Sequence, residues 1–217
     1  MAGGGGVSEW ERSIFDCFES SVVRLRVPCG GAGNGFVVFG RGNTRLIMTC
    51  EHVVHGLPLG TRNIMVSRSE PYLTAQSTPA TLLFVDEARD LALLRVDAVQ
   101  WDPCNVLAFF EAAPTSPGMD VVLLSFFHMG PLIVLRPGTF AGKIIGPHRL
   151  LVLGTLNVKL FAPTTQLSRE HIRCTCFVQE LGCKFSVSVP TIKAALRGWL
   201  RIADENVSIL AMLARIH

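Results

Sequence analysis

Hydrophobic and polar residues alternate in short runs along most of the chain, and each run stops within a few residues at Gly, Pro, Asn or Asp. The first element differs. Ser8 with Glu11 three residues on forms a capping-box pattern, and Ile14, Phe15 and Phe18 fall on one face, predicting a short helix. From Ser21 the period shortens. Val22-Val23-Arg24-Leu25-Arg26-Val27 is rich in branched residues and predicts a strand. Phe36-Val37-Val38-Phe39 and Leu46-Ile47-Met48-Thr49 flank Gly40-Arg41-Gly42-Asn43, a turn suited to positive φ, which predicts a hairpin. Further strands are predicted at 63–67, 81–85, 91–96, 121–127, 132–135, 139–145, 150–153, 158–161 and 184–189. Helical spacing returns only in the tail. Pro190 opens a helix with Ile192, Ala195, Leu196 and Trp199 on one side, and Ile209, Leu210, Leu213 and Ile216 predict a last amphipathic turn or two.

Many short strands with frequent turn signals imply an antiparallel sandwich or barrels, not alternating β/α units. Pro114-Thr115-Ser116-Pro117-Gly118 divides the strands into two groups of similar number. The predicted organisation is therefore a leader and short helix at 1–20, a first strand group at 21–113, a second at 118–190, and a helical end at 191–217. Hydrophobic residues make up 49% of the chain, which excludes disorder over most of its length. No unbroken apolar run reaches the ~18 residues of a spanning helix, so no membrane role is expected. The formal charge is +3 and the cations are spread out, without a Lys/Arg block for a phosphate backbone, so nucleic acid is not an expected partner. Seven cysteines are an odd number without framework spacing, pointing to reduced thiols. Glu9, Glu11, Asp16 and Glu19 near the amino end fit neither a signal peptide nor a transit peptide, so the expected location is cytoplasm or nucleus.

Two segments carry chemistry. In Thr49-Cys50-Glu51-His52-Val53-Val54 a predicted strand ends in a histidine, and in Asp90-Leu91-Ala92-Leu93-Leu94 an aspartate opens one. A histidine acts as general base when a carboxylate on one ring nitrogen fixes its tautomer and leaves the other nitrogen available. Alone, a histidine at such a position is more often an ordinary partly buried residue, and an aspartate more often a strand cap. Their order and context are more specific. Gly33-Asn34-Gly35-Phe36, the hairpin, Thr49-Cys50-Glu51-His52-Val53-Val54 and Asp90-Leu91-Ala92-Leu93-Leu94 together resemble the trypsin-like serine proteases of the Deg/HtrA type. The likeness continues through Gly118-Met119-Asp120-Val121-Val122, 138–145, and Phe185-Ser186-Val187-Ser188-Val189-Pro190, so that it covers about residues 20–200. The resemblance implies an all-β fold of two antiparallel barrels of the chymotrypsin class, the second incomplete, with short helices at both ends. It implies peptide-bond hydrolysis through an acyl-enzyme, with His52 as base, Asp90 as its orienter, a polypeptide as substrate or partner, and no cofactor.

The nucleophile is missing from the pattern. The family's Gly-x-Ser-Gly-Gly turn bends the backbone so that two N–H groups face the developing oxyanion. No such motif occurs in this sequence. Ser168 stands in Leu167-Ser168-Arg169-Glu170 without a neighbouring glycine and reads as a helix cap on the surface. Cys183 follows Gly182 but lies too close to the closing strand, and Cys50 beside His52 reads as a small core residue on the opposite face. His171, Cys174, Cys176 and Cys183 are a zinc-type ligand set whose Cys-x-Cys spacing is shorter than a usual knuckle; the competing reading is reduced, half-buried thiols, and no metal site is assigned. His52 and His55, three apart, are a second ligand pairing, but the family likeness accounts for His52 without metal. The leading expectation is thus a truncated or inactive protease homologue. The alternatives are an active endopeptidase with a diverged nucleophile loop and a peptide-binding or zinc-stabilised module. An incomplete second barrel would leave unpaired strand edges, expected around 150–161 and 174–178, and these would favour self-association.

Overall fold

Leu46-Ile47-Met48 and Leu91-Ala92-Leu93-Leu94 contain no polar residue because both faces of these strands are covered. All seven side chains are at most 3% exposed. The computed structural model describes residues 9–28, 30–68, 77–97, 101, 106, 109, 111, 116–126, 138–148, 155–160, 177–178 and 183–216. After α1 (Glu9–Phe18) come β1 (Val22–Arg26), β2 (Ala32–Arg41), β3 (Thr44–Thr49) and the single turn α2 (Glu51–Val54). Then follow β4 (Ile64–Arg68), β5 (Thr78–Asp86) and β6 (Leu91–Val96). These six strands form a closed antiparallel barrel in the order β1-β2-β3-β6-β5-β4.

Alternation along each strand sends one set of side chains inward and the other outward. Val23, Leu25, Val37, Ile47, Leu82 and Leu94 lie in the inner cluster, and Val54 of α2 joins it. The β2–β3 hairpin turns through Gly42 and Asn43 with Gly42 at φ +54°, a tighter connection than the four residues the sequence suggests. The β2 register shifts between Val37 and Phe39, so that the neighbours Val38 and Phe39 both face the outer cluster while Val37 lies in the inner one.

The outward side chains of β3 and β6 meet the tail. Leu46, Met48, Leu91 and Leu93 form one cluster with Ile192 and Leu196 of α3 (Val189–Leu200) and Met212 and Leu213 of α4 (Ile209–Ile216). Phe84 and Trp199 stack there with centroids 5.3 Å apart. Ser188 caps α3 by accepting from the Thr191 N–H, with Pro190 in the first turn. Glu111, between the two strand groups, accepts from the Ile209 N–H at 2.7 Å and pairs with Lys193 at 2.9 Å. Burial pushes the Glu111 carboxyl up, but the Lys193 and Ile209 bonds outweigh it and hold the group below its ordinary value. The tail therefore packs on the first barrel.

The second sheet comprises β7 (Asp120–Ser125), β8 (Gly138–His148), β9 (Thr155–Leu160), β10 (Phe177–Val178) and β11 (Cys183–Val187). Its order is β10-β11-β9-β8-β7, open among the described residues with β10 and β7 at the edges. This matches a chymotrypsin-type fold with one closed barrel and a smaller second sheet. One expectation is corrected: the described part of 150–161 is not at a margin, because β9 pairs with β8 on one side and β11 on the other. The predicted strands at 132–135 and 150–153 lie outside the described residues, as do Ser168, His171, Cys174 and Cys176. No helix among the described residues is long and apolar enough to cross a membrane.

If the tail and the barrel share one core, Leu196→Ala should destabilise the whole first barrel, by about 2–5 kcal/mol as for other large-to-small core changes. Urea unfolding followed by both tryptophan fluorescence and circular dichroism checks this. Loss of the tail signal well before the barrel signal would show two independent units instead.

Candidate active site

Two strand ends and one helical turn assemble the site. β3 ends at Thr49, Cys50 has extended backbone (φ −78°, ψ 146°), and the chain then turns into α2. His52 is therefore in a helical turn and not at the end of the strand, as the sequence suggested. Thr49, 3% exposed, donates its hydroxyl to the Asn34 carbonyl at 2.7 Å, fixing the departure point of this turn against β2.

Glycine at position 33 allows the turn to lie where it does. A Cβ there would meet the Val53 Cγ atoms at 2.5 and 2.6 Å and Val53 Cβ at 3.2 Å. Val53 is β-branched and has no flexible end that could retreat, so α2 itself would have to shift. At Gly35 the same addition would meet Ile47 Cγ2 at 2.7 Å and the Met48 carbonyl at 3.1 Å. The Gly-x-Gly spacing thus marks two close approaches, one of them directly beneath the residue after His52.

Asp90 arrives from the other side. Asp86 accepts from the Arg89 N–H at 3.0 Å and pairs with the Arg89 guanidinium at 2.6 Å, which closes one 3₁₀ turn over Glu87–Arg89. Asp90 follows at φ +52°, a left-handed conformation that Asp tolerates better than most residues, and β6 begins at the next position. Its carboxylate accepts from the His52 backbone N–H at 3.0 Å. The His52 Nδ1 lies 2.9 Å from both Asp90 oxygens. The structure brings together the two residues that the sequence paired.

This geometry sets the charges. The hydrogen bond to Asp90 raises the His52 pKa above the usual 6.5, and partial burial opposes it without prevailing. For Asp90, burial acts upward, but bonds from the His52 ring, the His52 N–H and the Cys50 side chain hold the carboxyl below 3.8. The His52 side chain is 44% exposed, so its ring reaches solvent while Asp90 holds Nδ1. That leaves Nε2 as the nitrogen available for proton transfer.

Of three neighbours, Asn34 was not singled out in the sequence, and Cys50 and His55 were read there in other roles. Cys50 is half-buried and hydrogen-bonds to Asp90 on the His52 side, and is not a core residue on the far face; residues two apart share a face even in a strand. Asn34 reaches the second sheet: its Oδ1 accepts from the Phe126 N–H at 2.8 Å and its Nδ2 donates to the Phe126 carbonyl at 3.4 Å. His55 pairs with the buried Glu51 at 2.6 Å and is not among the ligating side chains grouped around His52. A signal for Asn34 existed in the glycines on both sides of it; for Cys50 it lay in its place two residues before His52, a spacing that shares a face in a strand.

Residues 33–169 match the trypsin-like peptidase domain family, well over half of the 217-residue chain, and the chain belongs to that family. Its fold is similar to that of the M. tuberculosis protein Rv3671c in its inactive form, at 19% identity and TM-score 0.59, covering 88% of this chain and 92% of that one. It is also similar to a serine endoprotease from Yersinia pestis, at 17% identity and TM-score 0.62, covering 91% of this chain and 69% of that one. No curated protein matches the chain significantly.

Two measurements test the assembly. Gly33→Ala should destabilise the barrel by about 1–3 kcal/mol, the range for overpacking a tight site, and should perturb the His52 ring resonances. Unchanged stability and unchanged resonances would mean that Val53 gives way freely. In the second, NMR titration of wild type should find His52 titrating above 6.5, and Asp90→Asn should lower that value because burial then acts with less opposition. By linkage, the raised His52 pKa stabilises the fold fully below 6.5, an effect lost as pH rises through the folded value. The depressed Asp90 pKa stabilises it above 3.8, an effect lost as pH falls through the folded value, so both contributions coincide between 3.8 and 6.5. A His52 that titrates at the same pH in both proteins would remove Asp90 as the cause.

Proposed function

We propose that this chain is an inactive homologue within the trypsin-like peptidase family, binding polypeptide without cleaving it. One observation carries the reading: the His52–Asp90 pair is assembled, yet no serine in the 217-residue sequence is followed by glycine. Acyl transfer by this pair needs a hydroxyl held at Nε2 and two backbone N–H groups aimed at the oxyanion, and a serine–glycine turn is what places them. Without it, His52 has no alcohol to deprotonate in a fixed geometry. Binding energy toward an extended peptide does not depend on that turn, because strand edges supply backbone donors and acceptors.

The second reading is an active endopeptidase whose nucleophile sits in a differently built loop; the assembled pair with its raised histidine pKa favours it. A fluorophosphonate probe and a casein-type substrate separate the two. The expected outcome is no covalent labelling and only background turnover, equal in wild type and His52→Ala. Serine proteases that lose a triad member keep roughly 10³–10⁴-fold over water from the oxyanion hole and binding, and here that remnant should shrink as well. Labelling of any serine, or turnover abolished by His52→Ala, would establish the active enzyme instead.

A further inference from the structure

Among the described residues, Cys50, His52 and Asp90 bring one ligating atom each within 4.8 Å of one another. They are a sulfur, a nitrogen and an oxygen, and each is placed by its own constraint. Cys50 stands at the extended position just before α2, His52 within its turn, and Asp90 in the left-handed residue before β6. Asp90 is the shared acceptor: the His52 ring and the Cys50 side chain both bond to its carboxylate.

We propose that Cys50, His52 and Asp90 form a three-ligand site for a zinc-class divalent cation, with water in the fourth position. The cation takes the place of the protons that now bridge sulfur and ring nitrogen to the carboxylate. Bonds of about 2.0–2.3 Å in a tetrahedron put donors about 3.3–3.5 Å apart, so the 2.9 Å His52–Asp90 spacing opens by a few tenths of an ångström. A thiolate and a carboxylate balance the two positive charges, leaving a half-buried centre without net charge. The donor set selects against Mg²⁺ and Ca²⁺, which take oxygen ligands. The side chains of His52 and Asp90 are 44% and 30% exposed, which gives the ion a way in and water a place on it.

The proton balance is defined. On binding, the Cys50 thiol releases its proton to solvent, and a neutral His52 keeps one proton by moving it from Nδ1 to Nε2. Where His52 starts protonated, a second proton is released. Affinity therefore rises with pH, as for other sites whose ligands must lose protons. Metal on Nδ1 also displaces the carboxylate that orients the ring, so the metal-bound state and the base-competent state exclude each other. The site does not depend on whether the chain cleaves peptides.

Zinc chloride titrated into the full chain by calorimetry tests this, with cobalt substitution as a spectroscopic probe. The expected result is one equivalent bound and a thiolate-to-cobalt charge-transfer band that is lost in Cys50→Ser. Asp90→Asn and His52→Ala should each weaken zinc binding by at least the roughly 10–100-fold that losing an outer partner costs. Circular dichroism of each variant confirms folding, and a wild-type shift of the His52 ring resonances on zinc addition gives a readout that needs no variant. Absence of binding would overturn the proposal. So would binding that persists at full strength in Cys50→Ser with the His52 resonances unmoved, since the metal would then sit elsewhere. Peptidase and probe assays run with chelator decide the inactive-homologue reading separately.

Discussion

The Asp90 carboxylate joins the turn after β3 to the start of β6, and the site depends on that junction. It takes the His52 N–H, the His52 ring and the Cys50 side chain, three donors from one turn of chain. β3 and β6 are also direct neighbours, paired from Arg45 opposite Val96 to Thr49 opposite Ala92. The ladder fixes the separation of the strands, and the carboxylate closes its end. Because a half-buried carboxylate without donors is costly, the three bonds hold each other in place. Movement of α2 by the length of one bond would leave Asp90 short of partners.

The same two strands explain why the tail belongs to the first barrel. A barrel strand ordinarily has one wet face, yet the outward residues of β3 and β6 are as deeply buried as the inward ones. Only a second layer can do this, and α3 with α4 supplies it through Ile192, Leu196, Met212 and Leu213. Glu111 fastens the layer by bonding to α4 and Lys193 at once. The residues behind the His52–Asp90 pair are thus held between an inner cluster and a helical cover, which limits how far the pair can relax.

Much of this was legible in the sequence where the signal is local. The alternation at 22–27, the Gly-Arg-Gly-Asn turn and the Pro190 helix start each mark an element, because period and turn chemistry act over a few residues. The His52–Asp90 pairing was legible only through motif order, since nothing in 38 residues of separation indicates contact. What stayed hidden depends on long-range order. That β9 lies between β8 and β11 follows from antiparallel pairing across the sheet, which no single run encodes. Cys50 was misplaced because it was treated as the immediate neighbour of His52, whereas residues two apart share a face. The cover of α3 and α4 had left a trace, the absence of polar residues in Leu46-Ile47-Met48 and Leu91-Ala92-Leu93-Leu94, but a helix's own spacing does not say which sheet it covers.

A histidine and an aspartate held in this way are compatible with loss of the nucleophile, because the bonds that hold them do not involve it. Asp90 bonds to a backbone N–H as well as to a ring, so it fixes the chain path even if His52 never accepts a proton. Gly33 must stay small to admit Val53, and Thr49 must keep its hydroxyl to reach Asn34, whatever the second sheet does. The residues that make the first barrel look like a protease are therefore the ones that make it fold. The oxyanion turn has no such second role in the barrel: its glycines serve the geometry of a reaction and bear no load in the β3–β6 ladder. A chain can lose that turn and keep a nearly intact His–Asp rim, and the rim is then available to another ligand.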